Sequence, residues 1–256
     1  MNVPALFSLR GRRALITGSG QGLGFRIARG LAEAGAAIVL NDIDAVRLER
    51  AVGELRTTGV DAHGTVFNVT KPDEVRAAIA DTERAVGPID ILVNNAGIHR
   101  YAPLAEMDLA RWQEVLDVNL TGAFVVAQAI VRGMIARRSG KIINICSLMS
   151  EATRPTTGNY TAAKGGLKML TKSMTVEWAP YNIQANGIGP GYILSDMTRH
   201  LAADTTFDAW VKSRTPAARW GSPDDLVGAA VFLAAPASDF VNGHVLYVDG
   251  GWLAAL

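Results

Sequence analysis

The sequence predicts an α/β fold: a single doubly wound domain over residues 1–256, with a parallel sheet covered by helices on both faces. Three observations predict it. Short β-rich apolar runs recur seven times, and amphipathic stretches separate them. A glycine-rich turn joins the first run to the first helix. No linker-like shift in composition, internal repeat or low-complexity tract interrupts the chain. Strands separated by helices require right-handed crossovers, and these bury both faces of a sheet.

Arg13–Thr17 (RALIT) is the first strand and Gly22–Ala34 its helix. Ala37–Leu40 is the second, with a helix over about Asp44–Thr58 after it. Ala62–Phe67 is the third. Thr70 then stands where it can cap the next helix, and Pro72 falls in that helix's first turn, where a missing N–H does little harm. Ile89–Val93 (IDILV) is the fourth, followed by a long helical region to about Arg137. Lys141–Ile145 (KIINI) is the fifth, with a helix from about Tyr160 to Trp178. Ile183–Asn186 is the sixth. Ser195–Trp220 reads as irregular helices, Asp224–Ala234 as a clearer one, and His244–Val248 as the seventh strand.

The 256 residues are 49% hydrophobic and 19% charged with 26 glycines, the composition of a globule and not of a disordered chain. A formal net charge of +1 gives no support for a nucleic-acid partner. The lone cysteine, Cys146, excludes an internal disulfide framework. The four histidines lack metal-ligand spacing, so no metal is expected. Met1–Gly11 lacks the basic head and apolar run of a signal peptide, and no stretch approaches ~18 uncharged apolar residues. The expectation is a soluble cytoplasmic protein with a small-molecule substrate and no membrane partner.

Thr17–Gly24 reads TGSGQGLG, directly after the first strand and opening a helix. Gly18, Gly22 and Gly24 carry no Cβ where a diphosphate must approach the backbone. The helix N-terminus supplies free N–H groups and the positive end of a dipole. The spacing is TGxxxGxG; it departs from GxGxxG because Leu23 stands where the third glycine falls. Asp42 ends the second strand. A carboxylate there can accept from both adenosine ribose hydroxyls and would repel a 2′-phosphate. Neither Gln21 nor Ile43 offers a cation against that repulsion, so NAD is the expected cofactor and NADP the alternative. A plainer reading has Asp42 capping the helix near Asp44. Asn94–Gly97 (NNAG) ends the fourth strand with small residues against which a cofactor can lie, and Asn95 offers an amide. A simple strand-ending turn fits that segment equally well.

Tyr160 and Lys164 stand at i and i+4 near the start of a helix, which brings their Cβ atoms to ~5–6 Å. A phenol ordinarily ionises near pH ~10. An adjacent ammonium and a positively charged nicotinamide ring both favour phenolate. Lowering the group to about 7–8, roughly 3–4 kcal/mol of differential stabilisation, suits general acid–base catalysis. Ser147, after the fifth strand, can hold a substrate oxygen. Asn119, in DVNLTGAF, can bind a backbone carbonyl or a water leading to Lys164. Each residue alone has an ordinary reading as a surface pair, a turn serine or a helix asparagine; the combination carries the chemistry.

In order and spacing, TGSGQGLG, NNAG, Asn119, Ser147, Tyr160-x-x-x-Lys164 and Pro190-Gly191 resemble the short-chain dehydrogenase/reductase family over nearly the whole chain. The resemblance implies a Rossmann-type fold with a seven-stranded parallel sheet, and hydride transfer at nicotinamide C4 between a secondary alcohol and a ketone. It implies Tyr160 as proton acceptor, Ser147 as substrate anchor, Lys164 as a ligand of the cofactor ribose and Asn119 as completing a proton relay. The turn residues Gly18, Gln21, Gly22, Leu23 and Gly24 would take the diphosphate, and Asp42 the ribose. Asn68, in place of a frequent aspartate, and Val69 would lie near adenine. Asn95, Ala96 and Gly97 would back the cofactor, with Pro190, Gly191, Ile193 and Ser195 around its carboxamide. A homotetramer built on the long fourth and fifth helices is implied too. The apolar C-terminal GGWLAAL packs either against a neighbour or within its own subunit.

A narrower similarity, in NNAGIHR, KIINICS, NIQANGIGPGY, RTPAARWG, GAAVFL and ASDFVNGHVLYVDGG, resembles the gluconate 5-dehydrogenases, also called 5-ketogluconate reductases. It implies D-gluconate oxidised at carbon 5, or the keto acid reduced. Arg100 can pair with a sugar-acid carboxylate; a solvated loop arginine is the even alternative. Met149, Glu151 and Tyr192 join Ser147 and Tyr160 on the substrate side, beside a substrate loop region at about 190–222. Tyr101 stands where such enzymes often carry another arginine, and Met149 where they often carry glutamine, so the pocket wall loses polar capacity. Another sugar, a steroid or a 3-oxoacyl thioester are the alternative substrates. A non-catalytic dinucleotide sensor, which needs only the glycine turn and Asp42, is the alternative function.

Overall fold

The computed structural model describes residues 2–255; Met1 and Leu256, the last residue of the apolar C-terminal run, lie outside the described residues. The strands are β1 (Arg13–Ile16), β2 (Ala37–Asp42), β3 (Ala62–Val66), β4 (Ile91–Asn94), β5 (Gly140–Ile145), β6 (Ile183–Pro190) and β7 (Val245–Val248). They form one sheet in the order β3-β2-β1-β4-β5-β6-β7, and every pairing is parallel. Ala14 of β1 sits opposite Ile38 on one side and Ile91 on the other. From β1 the chain winds outward to β3, then crosses back to start the other half at β4. Strand order therefore reverses between β1 and β4, and the crevice beyond their C-terminal ends is where such sheets bind ligands.

The helices are α1 (Val3–Leu6), α2 (Gly22–Glu33), α3 (Ala45–Thr57), α4 (Pro72–Val86), α5 (Leu109–Leu116), α6 (Gly122–Arg137), α7 (Gly158–Trp178), α8 (Arg199–Ala202), α9 (Thr205–Arg214) and α10 (Val227–Ala234). On one face, Ile27 and Leu31 of α2, Leu48 and Leu55 of α3 and Leu233 of α10 join Ile16, Leu40 and Ile143 in the core. On the other, Ile79 of α4, Ile130 and Met134 of α6 and Met174 of α7 pack with Leu15, Val39 and Ile142. Successive strand residues point to opposite faces, so Leu15 and Ile16 serve different layers. Both are fully buried; truncating either to alanine would cost about 2–5 kcal/mol.

The long helical region after β4 is borne out, with Leu109–Arg137 running as one continuous helix that a π turn interrupts. It comprises a 3₁₀ turn (Leu104–Glu106), α5 capped by the Asp108 side chain, a π-helical turn (Asp117–Thr121) and α6. Thr70 does not cap α4: its N–H and hydroxyl both donate to Asn68 Oδ1, at 3.0 and 2.9 Å, and Lys71 takes the cap position ahead of Pro72. The stretch Leu109–Arg137 is long and apolar enough to cross a membrane by length and composition, yet half of its most apolar window is buried inside the protein. Val125, Val126, Ile130 and Met134 from it are core residues.

Candidate active site

A cleft of about 720 Å³ opens at the C-terminal ends of the central strands, within the ~300–1,000 Å³ typical of ligand pockets. Its wall brings together every residue expected to meet a dinucleotide. The glycine turn, Asp42, Asn68 and Val69 line one end. Asn95–Gly97, Ser147, Tyr160 and Lys164 line the middle, and Pro190, Gly191, Ile193 and Ser195 the other end.

Gly22 opens α2 at φ +62°, and Gln21 at its N-cap makes no side-chain capping bond. The N–H groups of the first turn therefore remain for an anion. Gly24 is dictated by packing: a Cβ there would lie 2.4 Å from Asn95 Nδ2 and 2.7 Å from Gly18 O. The Asn95 amide donates to Thr17 O at 2.8 Å and Gly18 O at 2.9 Å, while Thr17 Oγ1 accepts from the N–H groups of Asn95 and Ala96. Asn95 thus braces the turn against β4, its amide taken by the turn itself.

Asp44, not Asp42, caps α3, accepting from Arg47 N at 3.0 Å. Asp42 accepts instead from Arg47 Nη2 at 2.7 Å, Arg47 Nε at 3.2 Å, Asp44 N at 3.1 Å and Gly20 N at 3.2 Å. Burial alone would raise this carboxyl; the Arg47 guanidinium and the two backbone N–H groups outweigh it and hold it below the usual range. Arg47 also lines the cleft. Sequence reading sought a cation only beside Asp42 and missed one that the first turn of α3 folds back onto the strand end.

Tyr160 lies in the first turn of α7. Its N–H donates to Asn159 Oδ1 at 2.7 Å, and Asn159 Nδ2 donates to Arg100 O at 2.9 Å, tying the helix start to the loop after β4. Ser147 Oγ accepts from Met149 N at 3.1 Å and hydrogen-bonds the Tyr160 side chain. Burial pushes Tyr160 up to about 12 against that Ser147 bond, the opposite direction from the one a neighbouring ammonium predicts. The reason is geometric. Lys164 Nζ is 5.5 Å from the Tyr160 ring centroid, donates to Ile145 O at 2.6 Å, and is itself lowered to about 8 by burial. An ammonium has three donors, so two remain for a ribose. The uncapped α2 N-terminus, the Asp42 carboxylate and this lysine fit a dinucleotide along the cleft.

Asn119 sits in the π-helical turn, where its amide donates to Ile98 O and Val115 O, both at 2.9 Å, and its Oδ1 is buried without a partner. Cys146 is pushed up to about 11 by burial, which makes it a packing thiol. Ser195 meets the Thr198 hydroxyl at 3.1 Å.

The expected substrate side is differently disposed. Arg100 lines the cleft, but Glu114 Oε1 and Oε2 grip it at 2.7 and 2.9 Å. Glu151 accepts from the Tyr247 hydroxyl at 2.8 Å and pairs with Lys168. Tyr192 is set among Phe207, Trp210, Trp220 and Trp252, with ring centroids 5.0–5.8 Å away. Met149, Glu151 and Tyr192 stand off the main cleft wall. Sequence reasoning missed His99, whose ring stacks on Tyr160 at 4.7 Å and on Tyr101 at 3.7 Å. Burial, then the nearby Arg154, Arg100 and His200, lower His99 to about 4, so it is neutral near pH 7. It also missed Asn159 and Arg154. All three occupy or abut loops, where no hydrophobic period marks a side chain's direction.

The family model described as enoyl-(acyl carrier protein) reductase matches residues 18–253. The chain is 54% identical to the 5-keto-D-gluconate 5-reductase of Escherichia coli K12, over 98% of this chain and 99% of that one. It is 53% identical to a 2-dehydro-3-deoxy-D-gluconate 5-dehydrogenase of Formosa agariphila, over 98% and 96%. A crystal structure of a gluconate 5-dehydrogenase from Burkholderia cenocepacia, in complex with NADP and tartrate, matches with a TM-score of 0.98 and 54% identity over the full length of both chains.

Proposed function

The chain belongs to the short-chain dehydrogenase/reductase family, and from that premise we propose that it interconverts D-gluconate and 5-keto-D-gluconate with a nicotinamide dinucleotide. The observation that carries the reading is the half-buried Tyr160 phenol in the cleft wall, bonded to Ser147 and backed by Lys164. The dinucleotide, when bound, supplies or accepts the hydride. In reduction, Ser147 and Tyr160 hold the ketone oxygen, and Tyr160, kept protonated by burial, donates its proton to that oxygen. The Lys164 ammonium stabilises the phenolate left behind. In oxidation the same phenolate takes the hydroxyl proton.

Asp42 favours NAD by accepting from ribose hydroxyls. Arg47 offers a 2′-phosphate a cation, which keeps NADP usable. Phe124, Met169 and Val176 are exposed on α6 and α7 and support a homotetramer built on those helices, testable by sedimentation.

A second substrate, 2-dehydro-3-deoxy-D-gluconate, is favoured by the Formosa relative. Consumption of NADH or NADPH with 5-keto-D-gluconate, against formation of NADH or NADPH from 2-dehydro-3-deoxy-D-gluconate, whose carbon 5 is a hydroxyl, decides between them. Tyr160→Phe should leave melting temperature and dinucleotide affinity intact while kcat drops about 10²–10⁴-fold; undiminished turnover refutes the assignment. Turnover of 3-oxoacyl thioesters alone removes the sugar acid. Dinucleotide binding with no turnover of any alcohol or ketone makes the protein a sensor.

A further inference from the structure

We propose that Arg154 is the anchor for the substrate's carboxylate, an inference that rests on the sugar-acid reading above. Arg154 lies in the loop between β5 and α7, and its guanidinium carbon is 5.3 Å from the Tyr101 ring centroid and 5.2 Å from that of Phe207. It is close enough to the phenols of Tyr101 and Tyr192 to oppose the rise that burial imposes on both. Tyr101 stacks on His99, and His99 on Tyr160. A chain of ring contacts thus links the acid/base to the guanidinium at the edge of the cleft. In the proposed pose the sugar acid lies along it, its ketone at one end and its carboxylate at the other.

The electrostatics of this corner are incomplete. Arg154 Nε is buried without a hydrogen-bond partner, and its charge faces aromatic rings. The acids on adjoining segments are already engaged, Glu114 by Arg100 and Glu151 by Lys168 and Tyr247. The guanidinium hydrogen-bonds the Tyr101 and Tyr192 phenols, and these neutral partners leave its charge uncompensated and one buried donor open to an acceptor. The planar guanidinium fork matches a carboxylate in two-point geometry. Arg100 is the weaker candidate because Glu114 already neutralises it through Nε and Nη2, while its Nη1 donates to His99 O at 3.1 Å. Phe207 belongs to α9 and Tyr192 follows β6, so an acid held by Arg154 would also tie the 190–222 region to the reacting end of the cleft.

The test compares wild type, Arg154→Gln and Arg154→Lys on 5-keto-D-gluconate and on its uncharged methyl ester, with dinucleotide affinity and melting temperature as controls of the fold. Loss of charge-assisted bonds predicts a KM for the acid raised about 10–100-fold in Arg154→Gln. The KM for the ester should move less than about two-fold, and Arg154→Lys should recover part of the acid's affinity by restoring charge without the fork. An unchanged KM for the acid, or an equal loss on acid and ester, overturns the assignment. If the lysine variant alone folds, a KM for the acid equal to wild type overturns it as well. Wild type that reduces neither compound overturns the sugar-acid reading itself, a result distinct from failure of the anchor.

Discussion

Replacing Arg47 with alanine should change which dinucleotide the protein uses while leaving its chemistry alone. Arg47 contributes two of the four hydrogen bonds that Asp42 accepts, the other two coming from Gly20 N and Asp44 N. Asp42 is nearly buried, with its side chain 8% exposed against 29% for Arg47, so removing the arginine leaves a carboxylate charge without its only side-chain counterion in this set. NAD presents hydroxyls, which that carboxylate can still accept from. NADP presents a phosphate of about −1.5 to −2 charge, which loses its cation and meets the bare carboxylate. One charge-assisted bond is worth about 1.5–3 kcal/mol, so the ratio of kcat/KM for NADPH to that for NADH should fall roughly 10–150-fold. Asp42→Asn should move the ratio the other way, since it removes the repulsion and keeps Arg47. The assay is initial-rate reduction of 5-keto-D-gluconate with each coenzyme, at fixed ionic strength because exposed charges are screened. Equal losses with both coenzymes in Arg47→Ala would refute the reasoning and make Arg47 a scaffold for Asp42.

Gly24→Ala places a methyl 2.4 Å from Asn95 Nδ2 and 2.7 Å from a backbone oxygen. Overpacking of about 1–3 kcal/mol should lower the melting temperature by roughly 2–10 °C, and calorimetry with a dinucleotide titration should show weakened binding too. Asn159→Ala removes the bonds that set the entry of α7. Because a ~1 Å misplacement at a reacting group can cost about 10²-fold, kcat should fall far more than dinucleotide affinity, and a kcat within about two-fold of wild type would show that α7 holds Tyr160 unaided.

The sheet was legible because its central strands are buried on both faces, which makes runs such as RALIT, IDILV and KIINI nearly continuous in apolar residues. The glycine turn and the Tyr160–Lys164 spacing were legible for a related reason: backbone conformation and helical period are local properties. What escaped depends on tertiary approach. The π-helical turn at Asn119 inserts between α5 and α6, and none of its own residues, Asp117–Thr121, is the glycine or proline that marks a break in a helical run. Thr70 looked like a cap because it precedes Pro72, yet Asn68 Oδ1 accepts both of its hydrogen bonds. Arg100 looked available for a carboxylate until α5 brought Glu114 against it. Arg154 gained its setting from Tyr101 and Phe207, distant in sequence, and Arg47 from the reversal of the chain between β2 and α3 that returns it to Asp42; neither approach is written in residue spacing.

The same burial that hid these contacts gives the reaction a direction-dependent pH response. In the proposed mechanism, reduction needs a protonated Tyr160 and a charged Lys164. With Tyr160 raised to about 12 and Lys164 lowered to about 8, the lysine is the first of the two to lose its proton as pH rises. Reduction, followed as kcat/KM, should therefore be flat below about 8 and fall above it, because the phenolate formed during transfer loses its neighbouring cation. His99, held at about 4, stays neutral across that plateau and adds no step of its own. Oxidation starts from the phenolate, whose share grows with pH, so its rate should climb over the interval in which reduction is still level. kcat/KM reports groups of the free enzyme, which is the state whose burial and contacts set these shifts. Reduction that fell from pH 6 to 7 in step with rising oxidation would require a phenol titrating near neutrality before the dinucleotide binds, and burial of Tyr160 would then not be what keeps its proton in place.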